Sequence, residues 1–239
     1  EMCIRDRAWA MLLWQALGMD RPANKAGNFL DERLRAPLGY YGGFYGFDPS
    51  QQKLGWESTE QNLDLAVAFS RLGRAEDAAH ARAFVKAAYD AKAHLFKTGL
   101  TPDGKPGAML AADAGIWPYL AGIGDGASAK AAVDALQHGD GIGFSSASDG
   151  IWLEGTAFAA LALKRLGDAR AGAFLQTVAE NLSPQGYVYA TVAPVLGTGL
   201  KVGPSLRKGV PEADFNYYRR PSLSATSWAG LAALGVNPL

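Results

Sequence analysis

Glu60 and Asp64 stand four residues apart in the stretch Trp56-Glu57-Ser58-Thr59-Glu60-Gln61-Asn62-Leu63-Asp64. Ser58 followed by Gln61 fits a capping box, which puts Glu60 in a first helical turn and lets Glu60 and Asp64 project from one face. Acids favour such a turn for its positive dipole end, so capping is the plain alternative to chemistry. Asp64 lies past that turn, directly before the apolar run Leu65 to Phe69. A carboxylate there faces either the core or a cavity, and its burial alone is costly. A second group is Asp149-Gly-Ile-Trp152-Leu-Glu154-Gly155-Thr156, in which Glu154 opens another apolar stretch charged only at its far end, by Lys164 and Arg165. Asp113, beside Trp117, makes a third such position. Each of these acids also has a capping or loop reading. Acids with a tryptophan nearby, recurring at one place in successive segments, suit a definite chemistry. One carboxyl protonates a glycosidic oxygen, a second activates water, and aromatic faces carry sugar rings.

Further aromatics gather in the same kinds of segment. Tyr40, Tyr41, Phe44, Tyr45, Trp56, Tyr187, Tyr189, Tyr217 and Tyr218 lie in loops and at helix starts, where some belong to the core and others line a stacking cleft. Tyr41, Tyr45, Trp56, Trp117, Trp152 and Tyr218 are the expected sugar platforms, with Asp113 and Asp149 as polar contacts. Arg219, next to Arg220 and Pro221, either clamps an acidic sugar or bridges to a loop acid, and structural ion pairs are the commoner of the two. Other chemistries lack their residues. His80 falls on an outer helix, His94 in a turn and His138 at a helix end, and Cys3 is the only cysteine, so no metal-ligand spacing arises. Gly141-Ile-Gly-Phe-Ser-Ser146 imitates a phosphate loop without its strand or its Lys-Ser/Thr, and no Gly-x-Ser-x-Gly elbow occurs. No cofactor and no metal is expected.

These residues need elements to position them, and composition bounds which. The 23 Lys and Arg cancel the 23 Asp and Glu, and the pI is about 7.1, so the basic field of a nucleic-acid or anionic-membrane binder is missing. No apolar run approaches the roughly 18 residues of a membrane span. Glycine is enriched, at 29 of 239 residues, about 12% against a usual value near 7%. An internal repeat explains why. Residues 8–18, 63–73, 156–167 and 226–235 are Ala/Leu-rich stretches with an aromatic near the start and a closing Leu-Gly, and 111–124 is a looser copy interrupted by Pro118. They read as helices buried on every side, ended by a left-handed glycine. Residues 75–92, 127–138 and 168–182 are amphipathic and read as outer helices. Inner helix, turn, outer helix and Gly/aromatic loop, repeated every 45 to 70 residues or so, predict an all-α toroid of helical hairpins with function at the loop-bearing mouth. Residues 1–7 resemble a peptide translated from sequencing-adapter DNA and are set aside as a non-native leader. Residues 8–239 are expected to form a single α/α-toroid domain lacking its N-terminal hairpin or hairpins.

With that repeat, residues 56–69, 96–104, 149–163 and 217–239 make the chain resemble bacterial proteins of the six-hairpin glycosidase superfamily. The resemblance covers nearly everything from about residue 39 onward. It implies an (α/α)6 toroid with an acidic pair at the wide end, many members of that superfamily cleaving polysaccharides by inversion, and it points to Glu60 or Asp64 together with Glu154. The expected function is a glycoside hydrolase acting on a poly- or oligosaccharide. A polysaccharide lyase and a non-catalytic glycan-binding or scaffold toroid are the alternatives, and an isoprenoid-processing toroid is disfavoured for want of an Asp-rich or zinc site. The expected partner is a saccharide, with no nucleic acid and no membrane insertion, and export to the periplasm or beyond would suit such an enzyme.

Overall fold

The Ala/Leu-rich segments are helices in the computed structural model, which describes residues 2–45, 51–202 and 213–239. Parts of the loops at 39–49 and 187–222 therefore lie outside the described residues. Among those described are nine helices and eleven short strands, a helix-rich architecture compatible with an all-α fold. The chain packs as two compact units, one running to Ala108 with Ala121–Gly124 and Leu239, the other formed by Met109–Leu120 and Asp125–Pro238.

The first unit holds α1 (Ile4–Ala16), α2 (Asp20–Leu34), α3 (Thr59–Arg71) and α4 (Ala75–Ala87). Its strands are β1 (Met2–Cys3), β2 (Gly43–Tyr45) and β3 (Gln52–Leu54) in one antiparallel sheet, β4 (Glu57–Ser58) against β7 (Gly99–Leu100), and β5 (Tyr89–Asp90) against β6 (Leu95–Phe96). Helix α3 is buried on all sides from Leu63 to Phe69, as its sequence requires. Residues 4–7, set aside in the sequence reading, form the first turn of α1, with Ile4 fully buried. Helix α2 has no counterpart among the segments read as helical from the sequence. Gly27 and Pro22 dilute its signal, yet Ala23, Ala26, Gly27, Leu30 and Leu34 line one buried stripe.

The second unit holds α5 (Ala112–Leu120), α6 (Gly126–Leu136), α7 (Leu153–Leu166), α8 (Arg170–Ala179) and α9 (Leu223–Leu234), with β8 (Gln137–His138) on β9 (Gly141–Ile142) and β10 (Val195–Val202) on β11 (Ala213–Tyr218). Backbone bonds fix how α5, α7 and α9 stand. Ala112 N, opening α5, donates to Phe144 O, while Trp152 N, capping α7, donates to Ile142 O. On a second loop strand, Leu153 N donates to Ala190 O and Ser222 N, capping α9, donates to Val188 O. Acceptors two residues apart on an extended strand are separated by roughly 7 Å. The three helix N-termini are thus tied side by side, and the helices run parallel.

The Leu-Gly ends behave as the repeat predicts. Gly18, Gly73, Gly167 and Gly235 sit at φ of 69°, 72°, 69° and 71°, the left-handed conformation that a side chain disfavours.

Candidate active site

Each of the five repeat helices carries a distinctive residue at its second position: Arg5 on α1, Glu60 on α3, Asp113 on α5, Glu154 on α7 and Ser224 on α9. One turn further, at the sixth position, four of the five carry an aromatic ring: Trp9, Trp117, Phe158 and Trp228. On α3 that place is taken by Asp64. On α3 a carboxylate thus stands at the position that carries an aromatic on the other four helices, and it is fully buried.

In the first unit, Arg5 Nε pairs with Glu60 Oε1 at 2.8 Å, Trp9 Nε1 donates to Asp64 Oδ2 at 3.1 Å, and Gln15 Nε2 donates to Ala68 O at 3.2 Å. Contacts that advance together along both chains mean that α1 and α3 are parallel. The partner of Glu60 comes from the residues set aside as a leader. The start of α3 is held firmly. Ser58 Oγ accepts from Gln61 N at 3.3 Å, Thr59 N donates to Thr98 O at 2.9 Å, and Asn62 brackets the Tyr40 peptide, accepting from Tyr40 N at 2.7 Å and donating to Tyr40 O at 3.1 Å. Trp56 is half-buried with its ring against Gly42, where an added Cβ would lie 2.3 Å from the indole. Tyr41 and Tyr45 are half-buried, and Lys53 Nζ lies 4.4 Å from the Tyr41 ring centroid. Tyr40 belongs to the core, packed on Phe69 and His80.

Glu57 is the residue in this unit that the sequence reading passes over. Burial pushes its half-buried carboxyl up to about 6, and its Oε2 has no hydrogen-bond partner among the described residues. That value lets a carboxyl hold a proton near neutral pH, the property a general acid needs. No spacing rule singles it out, because the shift comes from desolvation that only the fold creates.

In the second unit, Trp117, Phe158 and Trp228 meet as a triangle, with ring centroids 5.4 to 5.5 Å apart. Trp152 extends this layer to Phe158 at 5.7 Å, Phe144 at 4.9 Å and Tyr217 at 5.6 Å. Trp117 and Trp152 expose 0% and 1% of their surface. They form a sealed floor, and Asp113, Glu154 and Ser224 each stand one turn nearer the helix start. Asp113 Oδ1 accepts from Ala114 N at 2.7 Å, and Glu154 Oε2 accepts from Ser224 Oγ at 2.6 Å. Both acids are 3% exposed.

The remaining expected residues lie in the loops of this unit. Asp149 is exposed and accepts from Gly197 N at 3.2 Å. Tyr218 is half exposed, with the Arg220 guanidinium 5.5 Å from its ring centroid. Arg219 lies 4.4 Å over the Tyr189 ring and donates to Asn181 Oδ1 at 2.8 Å and Val192 O at 2.9 Å. It fastens two loop segments together. Ser224 is the second residue that the sequence reading misses. Counted back from the closing glycine, Glu60 and Glu154 share one offset while Ser224 is two residues short of it, so aligning on Leu-Gly hides the match. Aligning on the aromatic four residues later reveals it.

Among the described residues no group of His, Cys, Asp and Glu could hold a metal ion, and no helix is long and apolar enough to cross a membrane.

No family model and no curated protein matches the chain. Solved structures do. A glycosidase with one Glu-to-Ala substitution, in complex with glucose, aligns with a TM-score of 0.61 at 17% identity, over 97% of this chain and 65% of its own. A glycosidase carrying a different Glu-to-Ala substitution aligns with a TM-score of 0.60 at 16% identity and the same coverage. A possible member of the GH105 family from Klebsiella pneumoniae gives 0.56 at 14%, over 97% of this chain and 69% of its own. The chain has a glycosidase-like fold, and it spans about two thirds of the length of these glycosidases.

Proposed function

We propose that the chain is a glycoside hydrolase built on an (α/α) toroid, cleaving a poly- or oligosaccharide with carboxylate acid and base. The observation that carries this reading is positional: three of the five repeat helices put an acid at the second position, one turn before an aromatic on α5 and α7 and before Asp64 on α3, in a glycosidase-like fold. Glu154 and one of Glu60 and Asp64 form the working pair. The acid protonates the glycosidic oxygen as the C–O bond breaks, while the partner carboxylate takes a proton from the attacking water. Half-buried Trp56, Tyr41 and Tyr45 in the first unit and exposed Tyr218 in the second offer faces for sugar rings, and Trp117 and Trp152 give Asp113 and Glu154 a rigid apolar floor. Saccharides are the expected partners, consistent with the glucose bound by one structural neighbour.

A second reading, a non-catalytic glycan-binding toroid, is favoured by the partners these acids already have: Arg5 at Glu60, Trp9 at Asp64 and Ser224 at Glu154. Reducing-sugar release from a panel of neutral and acidic polysaccharides separates the two, with Glu60→Gln, Asp64→Asn and Glu154→Gln run beside the parent. Hydrolysis expects release that at least Glu154→Gln abolishes by 100-fold or more while the fold survives. Binding to a glycan by parent and variants alike, with no release, would make this a sugar-binding protein.

A further inference from the structure

Glu154 is approached by a directed chain of donors. The amide of Ala225 donates to Ser222 Oγ at 3.2 Å, which is the N-cap bond of α9. Ser222 Oγ lies 3.1 Å from Ser224 Oγ, and Ser224 Oγ lies 2.6 Å from Glu154 Oε2. Ser222 Oγ accepts from the amide and keeps its own proton; with the single Ser224 proton directed to Oε2, the Ser222 hydroxyl is the donor to Ser224. Ser224 in turn gives its own proton to the carboxyl group. Every link points toward Oε2, and donors in series strengthen one another. A separation of 2.6 Å lies at the short end for a hydroxyl donor, where hydroxyl-to-carboxylate bonds fall. Glu154 also sits in the first turn of α7 and against the first turn of α9, at the positive ends of two parallel helices.

We infer that Ser224, backed by Ser222, is a positioning residue that keeps Glu154 ionised and aimed, which makes Glu154 the base of the reaction and assigns proton donation to a different carboxyl. This rests on the hydrolase reading for the reaction, though not for the ionisation. Among the described residues, Arg219 and Arg220 lie on the loop that leads into α9, Arg219 over the Tyr189 ring and Arg220 beside the Tyr218 ring, and the charged groups of the helices packed on α7 have the following places. On α5, Asp113 is the ionisable group at the same end and is itself an acid, while Tyr119 lies at the opposite end. On α6 and α8, Lys130, Asp134 and Arg170 are tied to Asp168 beyond the far end of α7, and Glu180 accepts from Gln176. Helix α9 carries no titratable side chain.

The test is a carbon-13 NMR titration of the whole chain labelled at glutamate Cδ, with Glu154→Gln to assign the resonance. Ser224→Ala is expected to raise the Glu154 midpoint by roughly half a unit to one unit, and Ser224→Thr, which keeps the hydroxyl, to restore it. An unmoved midpoint in the alanine variant, or no rescue by threonine with the circular dichroism unchanged, overturns the inference. On whichever polysaccharide of the panel is cleaved, the acidic limb of the pH profile should move with the NMR midpoint. A limb that stays put while the resonance moves removes the base assignment. If no polysaccharide is cleaved and the midpoint still moves, the hydrolase reading and the base role fall together, and the serine control of ionisation stands.

Discussion

Two carboxyls, Glu57 and Asp64, show how differently burial can be met. Glu57 is desolvated without a donor to compensate, so its protonated form is favoured, and the fold bears a cost whenever it ionises. The sign follows directly. Below the unfolded value of 4.5 both states are protonated and no penalty exists; between there and about 6 the unfolded chain ionises first, and stability falls. The full shift would correspond to about 2 kcal/mol, and for a half-exposed group solvent screening reduces this to about 1 kcal/mol or less. Glu57→Gln should therefore be more stable than the parent to urea at pH 7.5 and equal to it at pH 4. A variant equally stable at both would mean that the carboxyl is solvated. Asp64 is the opposite case, fully buried with an indole N–H donated to it. Trp9→Phe keeps the ring and removes the donor, and losing the donor to a buried polar group costs about 1 to 3 kcal/mol. A loss of that size in urea unfolding is expected, and a change below about 0.5 kcal/mol would show that other contacts carry Asp64.

The helix is the scale at which the sequence was most legible. Alternating buried and amphipathic Ala/Leu blocks, closing glycines and the Ser58 cap can all be read from composition and spacing, because burial on every side leaves a strong apolar signature. Helix α2 escaped because its buried stripe has only two large apolar residues, Leu30 and Leu34, beside two alanines and a glycine in an otherwise polar segment. The candidate site was legible as residue types but not as roles. Glu60, Asp64, Asp113 and Glu154 stand out as acids, yet the displaced aromatic at Asp64 appears only when five helices are superposed position by position. Gly155 illustrates the remainder. It looks like a punctuating residue in the motif, whereas a Cβ there would lie 2.4 Å from Trp152 Cε3, inside a ring cluster with no room to shift. Glycine at the third position of α7 is what lets the indole fold back over its own helix. Gly155→Ala should cost about 1 to 3 kcal/mol by overpacking, despite alanine's better helix propensity. Thermal unfolding that rose instead would mean that the ring relaxes freely.

For the whole molecule, the balance of charge is the property that reaches furthest from any one contact. Positive and negative side chains are equal in number and the pI is about 7.1, so near neutral pH there is little net repulsion between copies and no long-range field to draw in a polyanion. Among the described residues, two ion-pair clusters are local: Arg35 bridges Asp31 and Asp77, and Arg170 bridges Asp134 and Asp168. Such clusters consume charge in stitching helices together and leave little for steering. A saccharide would then be gripped by ring faces and short hydrogen bonds, neither of which salt screens strongly. If the chain binds a neutral oligosaccharide, its affinity should change less than twofold between 50 and 500 mM salt. Attraction of an acidic polysaccharide through phosphate-like clustering of charge would instead weaken severalfold over that range, since exposed charges are screened beyond roughly 10 Å at 0.1 M salt. Titration calorimetry at the two salt concentrations distinguishes these cases, and a steep salt dependence would place the binding energy on Arg219, Arg220 and their neighbours rather than on the aromatic faces.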